Sequence, residues 1–226
     1  MMIMVSEGDT VLSEIAYEQI LQMILRQEIR CGEKIPEEKI TQMLGMSRTP
    51  IREAIRRLAN EGIVNLYPKR HAEVISFDEK AIKDVGLLRI ALDTLAARLA
   101  ILHGSNADFS QLKEIADACY QAARSGDLYR RIKLDCDFHL YMTEISGNQI
   151  LLKVQKELYL KVQLIQAIKY TGIEESLKRV EGHFSILDGL FSRDEDIVVQ
   201  SVYNHLASFY QIEATPSIYR QLSTVN

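Results

Sequence analysis

The sequence contains no tryptophan, only four prolines, and three cysteines that never occur at CxxC spacing. Cys31, Cys119 and Cys136 are odd in number and far apart, which excludes a disulfide framework or a thiolate zinc site and reads as three reduced thiols. No apolar run approaches the roughly 20 residues that a bilayer-spanning helix needs. The opening MMIMVSEGD is too short and too acidic for a secretory signal, so a cytoplasmic protein without membrane segments is expected. An overall excess of positive charge is missing too. The formal charge is −4, and such a chain meets nucleic acid only through a local basic surface.

That surface exists. Between Lys39 and Arg70 there are seven basic residues against two acidic ones, a local balance of +5 that leaves −9 for the rest of the chain. Its centre is SRTPIREAIRR, Ser47 to Arg57. A helix starting after a Ser47 cap carries Arg48, Arg52 and Arg56 along one ridge, while Ile51, Ala54, Ile55 and Leu58 face elsewhere. Pro50 is tolerated because it falls in the first turn, where no intrahelical donor is lost.

The surrounding pattern predicts a helix over about 13–27, a short helix ending at Gly45, the arginine helix to Gly62, and two β-prone runs, IVNLY and AEVISF, joined by PKRH. Helix, tight turn, helix and hairpin is the order of a winged helix-turn-helix over residues 1–75. Residues 76–226 carry no convincing strand and read as an all-α antiparallel bundle, opened by a Ser76/Glu79 capping box and continuing with helices over about 110–125, 128–146, 149–170, 174–191 and 194–211. The fold class is mainly α. In the head, Arg48, Thr49 and Arg52 at the start of a helix lying in a major groove reach base edges first, since the arginine fork holds guanine or phosphate with two hydrogen bonds. Ser47 and Arg56 flank them. Lys69 and Arg70 at the hairpin tip reach phosphate or the minor groove.

The stretch MLGMSRTPIREAIRRLANEGIV resembles the signature of the GntR family of bacterial transcriptional regulators, from the first helix through the wing. The resemblance implies a winged helix that binds double-stranded operator DNA as a homodimer. Three residues depart from it. Glu38 stands where many relatives have a basic residue, and the wing has His71 and Ala72 where a glycine is usual.

Three of the five histidines fall on apolar stripes. DCDFH places Asp135 and His139 one helical turn apart on the face continued by Ile132, Met142 and Ile145. His183 lies with Val180 and Leu187, and His205 with Val202 and Leu206. On one helix the 22 residues between His183 and His205 would span roughly 33 Å, but the break at SRDED folds them into two antiparallel helices. A single inward histidine is ordinarily a hydrogen-bonded core residue. Three imidazoles and a carboxylate on inward faces instead suggest a shared divalent ion such as Zn, Ni or Mn, with Asp137 the weaker ligand candidate.

The spacing also resembles the FCD domain, the helical effector domain of one large branch of GntR regulators, whose Asp and three His metal positions map onto Asp135, His139, His183 and His205. Arg89 interrupts an expected stripe of Ile82, Val85, Leu92, Ala96 and Leu99. It reads either as an ion pair with Asp93 at i+4, or, in line with the resemblance, as the holder of an effector carboxylate that completes the metal shell. Asn148, Tyr141 and Lys133 are lesser candidates for that pocket. The expected activity is a metal-containing regulator answering to a small organic acid. The alternatives are a regulator answering to the metal itself, or a helical metallohydrolase with metal-bound water as nucleophile.

Overall fold

In the N-terminal part of the chain, α1 (Glu7–Leu25), α2 (Glu37–Leu44) and α3 (Arg48–Asn60) precede a hairpin of β1 (Val64–Tyr67) and β2 (His71–Val74). A computed structural model describes residues 7–212, with side chains from residue 11. The α3 face of Pro50, Ile51, Ala54, Ile55 and Leu58 is buried with Ile20, Leu21 and Ile24 of α1. Each of the isoleucines and leucines contributes about 1.5–3 kcal/mol by leaving water. Gly45 ends α2 at φ +62, and the amide of Met46 returns to the Thr41 carbonyl. Ser47 occupies the N-cap of α3 in extended backbone, yet its hydroxyl makes no capping bond. The hairpin is antiparallel with Val64 opposite Val74 and Tyr67 opposite His71. Lys69 turns the tip at φ +60, taking the left-handed conformation that glycine fills most easily.

The bundle follows as α4 (Glu79–His103), α5 (Asn106–Ser125), α6 (Leu128–Ile145), α7 (Gln149–Ile168), α8 (Ile173–Ser192) and α9 (Glu195–Tyr210). The expected Ser76 cap gives way to Asp78, whose carboxylate accepts from the Ala81 amide at 2.7 Å. Helix α5 begins four residues before the expected Ser110, because Ser105 and Asp108 form a reciprocal capping box.

Helix α4 packs against α6, α7 and α9. Surrounded on several sides, it buries Gly86, Arg89, Ile90, Asp93, Ala96, Ala97 and Ala100. The expected Ile82, Val85, Leu92 and Leu99 are only half-buried. Small residues allow close helix approach, so the true stripe is rotated from the one that large apolar residues suggest.

The segment between residues 75 and 78 joins the two parts without regular structure. They are not separate in packing. Ile132 of α6 and Leu164 and Ala167 of α7 belong to the same apolar cluster as the α1 and α3 core.

Candidate metal centre and nucleic-acid interface

Asp135 and His139 stand one turn apart on α6, while His183 comes from α8 and His205 from α9. One donor atom from each lies within 4.8 Å of the others. The closest approaches are His139 Nε2 to His205 Nε2 at 3.2 Å and His183 Nε2 to Asp135 Oδ1 at 3.3 Å. An ion bonded at about 2.0–2.2 Å to such donors holds neighbouring ones about 3.0–3.5 Å apart. Both separations suit a shared divalent ion. As plain core residues these imidazoles fit poorly. His183 Nδ1 finds no hydrogen-bond partner among the described residues, a cost on the order of 1–3 kcal/mol for an orphaned group, while His183 Nε2 and His139 Nδ1 face carboxylates, Asp135 at 3.3 Å and Asp93 at 3.4 Å.

Two glycines bring α8 and α9 together. A Cβ on Gly182 would lie 2.5 Å from His205 Nδ1, and one on Gly189, seven residues on, would lie 2.7 Å from Val198 Cα. Their spacing puts both bare positions on one side of α8.

The electrostatics favour the ligand forms. Burial alone would raise Asp135, but the His183 hydrogen bond and the Arg89 charge outweigh it and hold the carboxyl well below its ordinary range. Burial, with Arg89 nearby, pushes His139 well down, and burial followed by the His183 charge does the same to His205. Both rings are therefore neutral and able to donate a lone pair.

Around the four residues lies a buried polar network that sequence reasoning mostly missed. Asp93 accepts from the Tyr159 hydroxyl at 2.8 Å and from Gln155 Nε2 at 2.6 Å, and faces His139 Nδ1 at 3.4 Å. A carboxylate behind a ligand imidazole fixes its orientation. Burial raises the Asp93 carboxyl to about 6 despite the Arg89 charge. Gln166 Nε2 donates to Asp135, and Arg131 in turn donates to Gln166. Gln155, Tyr159 and Gln166 recur on one face of α7, which was the available signal in QKELYLKVQLIQ.

Arg89 makes the expected ion pair with Asp93 and also reaches Asp135. It is buried, its Nε lies 3.3 Å from Asp93, and its Nη2 lies 3.5 Å from Asp135. Asn148 does not join the site. Its side chain caps α7 by accepting from the Leu151 amide at 3.0 Å. Nor do Tyr141, Lys133 or Asp137 line the small cavity beside His205, and Asp137 is exposed.

In the head, Ser47, Arg48, Thr49, Arg52 and Arg56 are exposed along α3, and Lys69 and Arg70 at the tip of the wing. A groove of about 460 Å³ between α3 and the wing is lined by Arg52, Arg56, Lys69 and Arg70. Arg52 is steadied by Glu37 at 3.2 Å, and Arg48 lies 3.9 Å from Glu38. Arg57, the fourth arginine, turns back instead. It lies 3.9 Å over the Tyr17 ring and pairs with Glu14 and Glu61. Ala72 is buried in the head core and His71 stacks on Tyr67, so the atypical wing residues serve the hairpin.

Residues 84–208 match the FCD domain, and residues 12–74 match the bacterial regulatory proteins, gntR family. The chain is similar to the HTH-type transcriptional repressor RspR of Escherichia coli, 23% identical with 84% of this chain and 85% of the relative covered. It is similar also to the Nta operon transcriptional regulator of Aminobacter aminovorans, at 27% identity over 83% and 88% of the two chains. Among solved structures, E. coli McbR/YncC shares the fold with a TM-score of 0.76, covering 97% of this chain and 100% of that one at 20% identity.

Proposed function

Since the chain belongs to the GntR family of bacterial regulators that carry an FCD domain, and is a DNA-binding transcriptional regulator, we propose that its bundle senses a small organic acid through a divalent metal centre. The observation that carries this reading is the convergence of Asp135, His139, His183 and His205 with a buried Arg89 beside them. Asp135, His139, His183 and His205 would hold a divalent ion, which would supply a Lewis-acidic anchor for a carboxylate oxygen. Arg89, already within reach of Asp135, orients the same carboxylate by a charge-assisted bond. The ligand thereby ties α4, α6, α8 and α9 together.

For DNA, Arg48, Thr49 and Arg52 take the base-edge positions, while Lys69 and Arg70 take phosphate. Leu88, Leu95 and Leu102 leave α4 at heptad spacing with 47%, 43% and 72% exposure, an apolar strip that suits pairing of two bundles in a homodimer. The metallohydrolase alternative falls away, because the matched families and relatives are regulators. Affinity for DNA changes only as far as the ligand prefers one arrangement of the heads to the other.

The test uses full-length protein stripped by a chelator and reloaded with zinc, nickel or manganese. Bound metal is expected to raise the melting temperature, because it binds the folded state alone. Organic acids are expected to alter operator binding only in the loaded form. Equal melting of stripped and loaded protein would remove the metal from the reading, and an acid response without metal would remove its role in sensing.

A further inference from the structure

Three arginines converge on the small cavity beside the metal quartet. Arg89, Arg131 and Arg179 line it together with Asp135, Gln166 and His205. Arg131 is only 2% exposed. One of its terminal nitrogens donates to Gln166, while Nε and Nη2 find no hydrogen-bond partner among the described residues. A guanidinium is always charged and offers five donors, so burying it with idle nitrogens is costly unless an anion arrives. Among the described residues the buried carboxylates nearby are Asp93 and Asp135, which already face Arg89, Tyr159, Gln155 and His183. Arg179 has a partner in Glu175 at 3.6 Å, but Arg131 has no ion pair among the described residues, and a divalent ion would add to the positive charge beside it.

The cavity measures about 20 Å³, room for little more than a water. It shares Arg179, His205 and Phe209 with an open groove of about 500 Å³ between α8 and α9. Arg179 lies over the Phe209 ring at 4.3 Å, so these two long side chains form the wall between groove and cavity. Arg131 stands one turn before Asp135 on α6, about 6 Å along the helix axis. Arg89 and Arg131 line the same small cavity, so only a short carbon chain can join two acid groups held by them.

We propose that Arg131, with Arg179 at the mouth, forms a second anion subsite, and that the effector is a short dicarboxylate whose far carboxylate docks there. The inference rests on the reading of the quartet and Arg89 as the site of the near carboxylate. It also gives the ligand a line to the head. Arg131 adjoins Ile132, Gln166 adjoins Ala167, and both neighbours pack into the cluster that holds α1 and α3. A carboxylate on Nε and Nη2 of Arg131 adds a tie to the side chain that already holds Gln166, at the place where the bundle grips the head.

The experiment is calorimetric titration of full-length, zinc-loaded protein with succinate, with butyrate as its monoacid of equal length, and with 3-phosphonopropionate. Succinate is expected to bind at least tenfold more tightly than butyrate. Arg131→Met is expected to bring that ratio close to one, through at least a tenfold loss for succinate against less than threefold for butyrate, with metal content kept. A wild-type ratio near one overturns the proposal even if the variant fails to fold, as does an unchanged ratio in Arg131→Met. Arg179→Gln, at a half-buried position, is expected to lower the ratio in a chain that folds; an unchanged ratio there removes Arg179 from the subsite. Tighter binding of 3-phosphonopropionate than of succinate overturns the carboxylate assignment. If zinc binds but none of the three acids does, the effector reading fails with it, whereas butyrate binding without any preference for succinate leaves that reading standing and removes this subsite alone.

Discussion

Gly182→Ala is expected to disable the proposed metal centre without replacing any of its four proposed ligands. The added Cβ would lie 2.5 Å from His205 Nδ1, 3.1 Å from its Cγ and 3.2 Å from its Cβ. Ordinary contact needs about 3.5 Å, so the ring must retreat by about 1 Å. It cannot do so by a terminal rotation, because its own Cβ is crowded as well. Metal sites tolerate about 0.2 Å in ligand distance, so His205 leaves the shell. Altering a residue that merely supports a ligand costs 10–100-fold in metal affinity; displacing one of four ligands is expected to cost at least about 100-fold, or about 2.7 kcal/mol. The fold should suffer less. Overpacking costs about 1–3 kcal/mol, and the better helix propensity of alanine returns up to about 1. Competition for zinc against a coloured chelator reads the affinity, and thermal melting of stripped protein reads the fold. In the double variant Gly182→Ala/His205→Ala the clash is gone, so the metal-free protein should melt above Gly182→Ala alone. Zinc affinity within threefold of wild type in Gly182→Ala would refute the reasoning, because His205 would then be slack or no ligand.

Other perturbations separate the roles of the arginines. Arg52→Ala is expected to lose specific operator affinity by about 1–3 kcal/mol per half-site at constant salt while the melting temperature holds; unchanged operator affinity would misplace the α3 face. Arg57→Ala is expected to lower the melting temperature, through loss of the Tyr17 and Glu14 contacts, with little change in the preference for operator over random DNA; a selective operator loss would make Arg57 a reader. Lys69→Ala should weaken operator and random DNA alike and flatten the salt dependence, and a sequence-specific loss would contradict a phosphate contact. Arg89→Met is expected to destabilise the metal-free protein by about 3–5 kcal/mol in denaturant unfolding, since it strips two buried carboxylates of their cation; a change below 1 kcal/mol would mean that those ion pairs carry no weight.

The winged head and the clustering of Asp135, His139, His183 and His205 were legible because each rests on short-range order. SRTPIREA places a ridge of arginines by helical spacing alone, and DCDFH places Asp135 over His139 in the same way. The fold of α8 onto α9 follows from one interruption, SRDED. What stayed hidden depends on neighbours that no local pattern names. Arg131, Gln166 and Asp93 resemble surface residues until three helices close over them. Arg57 looks like its neighbours on α3 until Tyr17 and Glu14 arrive from α1. On α4, bulk suggested a stripe through Leu92 and Leu99, but the close approach of three helices selected Ala96, Ala97 and Ala100. Asp78 displaced Ser76 as the cap because the chain stays extended to residue 78 before α4 begins.

Ile132, Leu164 and Ala167 lie in the head's own apolar cluster, so the two halves of the chain are poor interchangeable parts. A head grafted onto a foreign sensor would meet a surface shaped for other side chains, and a sensor given a foreign head would show water three apolar residues that it evolved to cover. Recombination between such regulators would preserve switching only when this small seam travels with the head, which makes the seam, rather than the linker, the unit a designer of hybrid sensors should transplant.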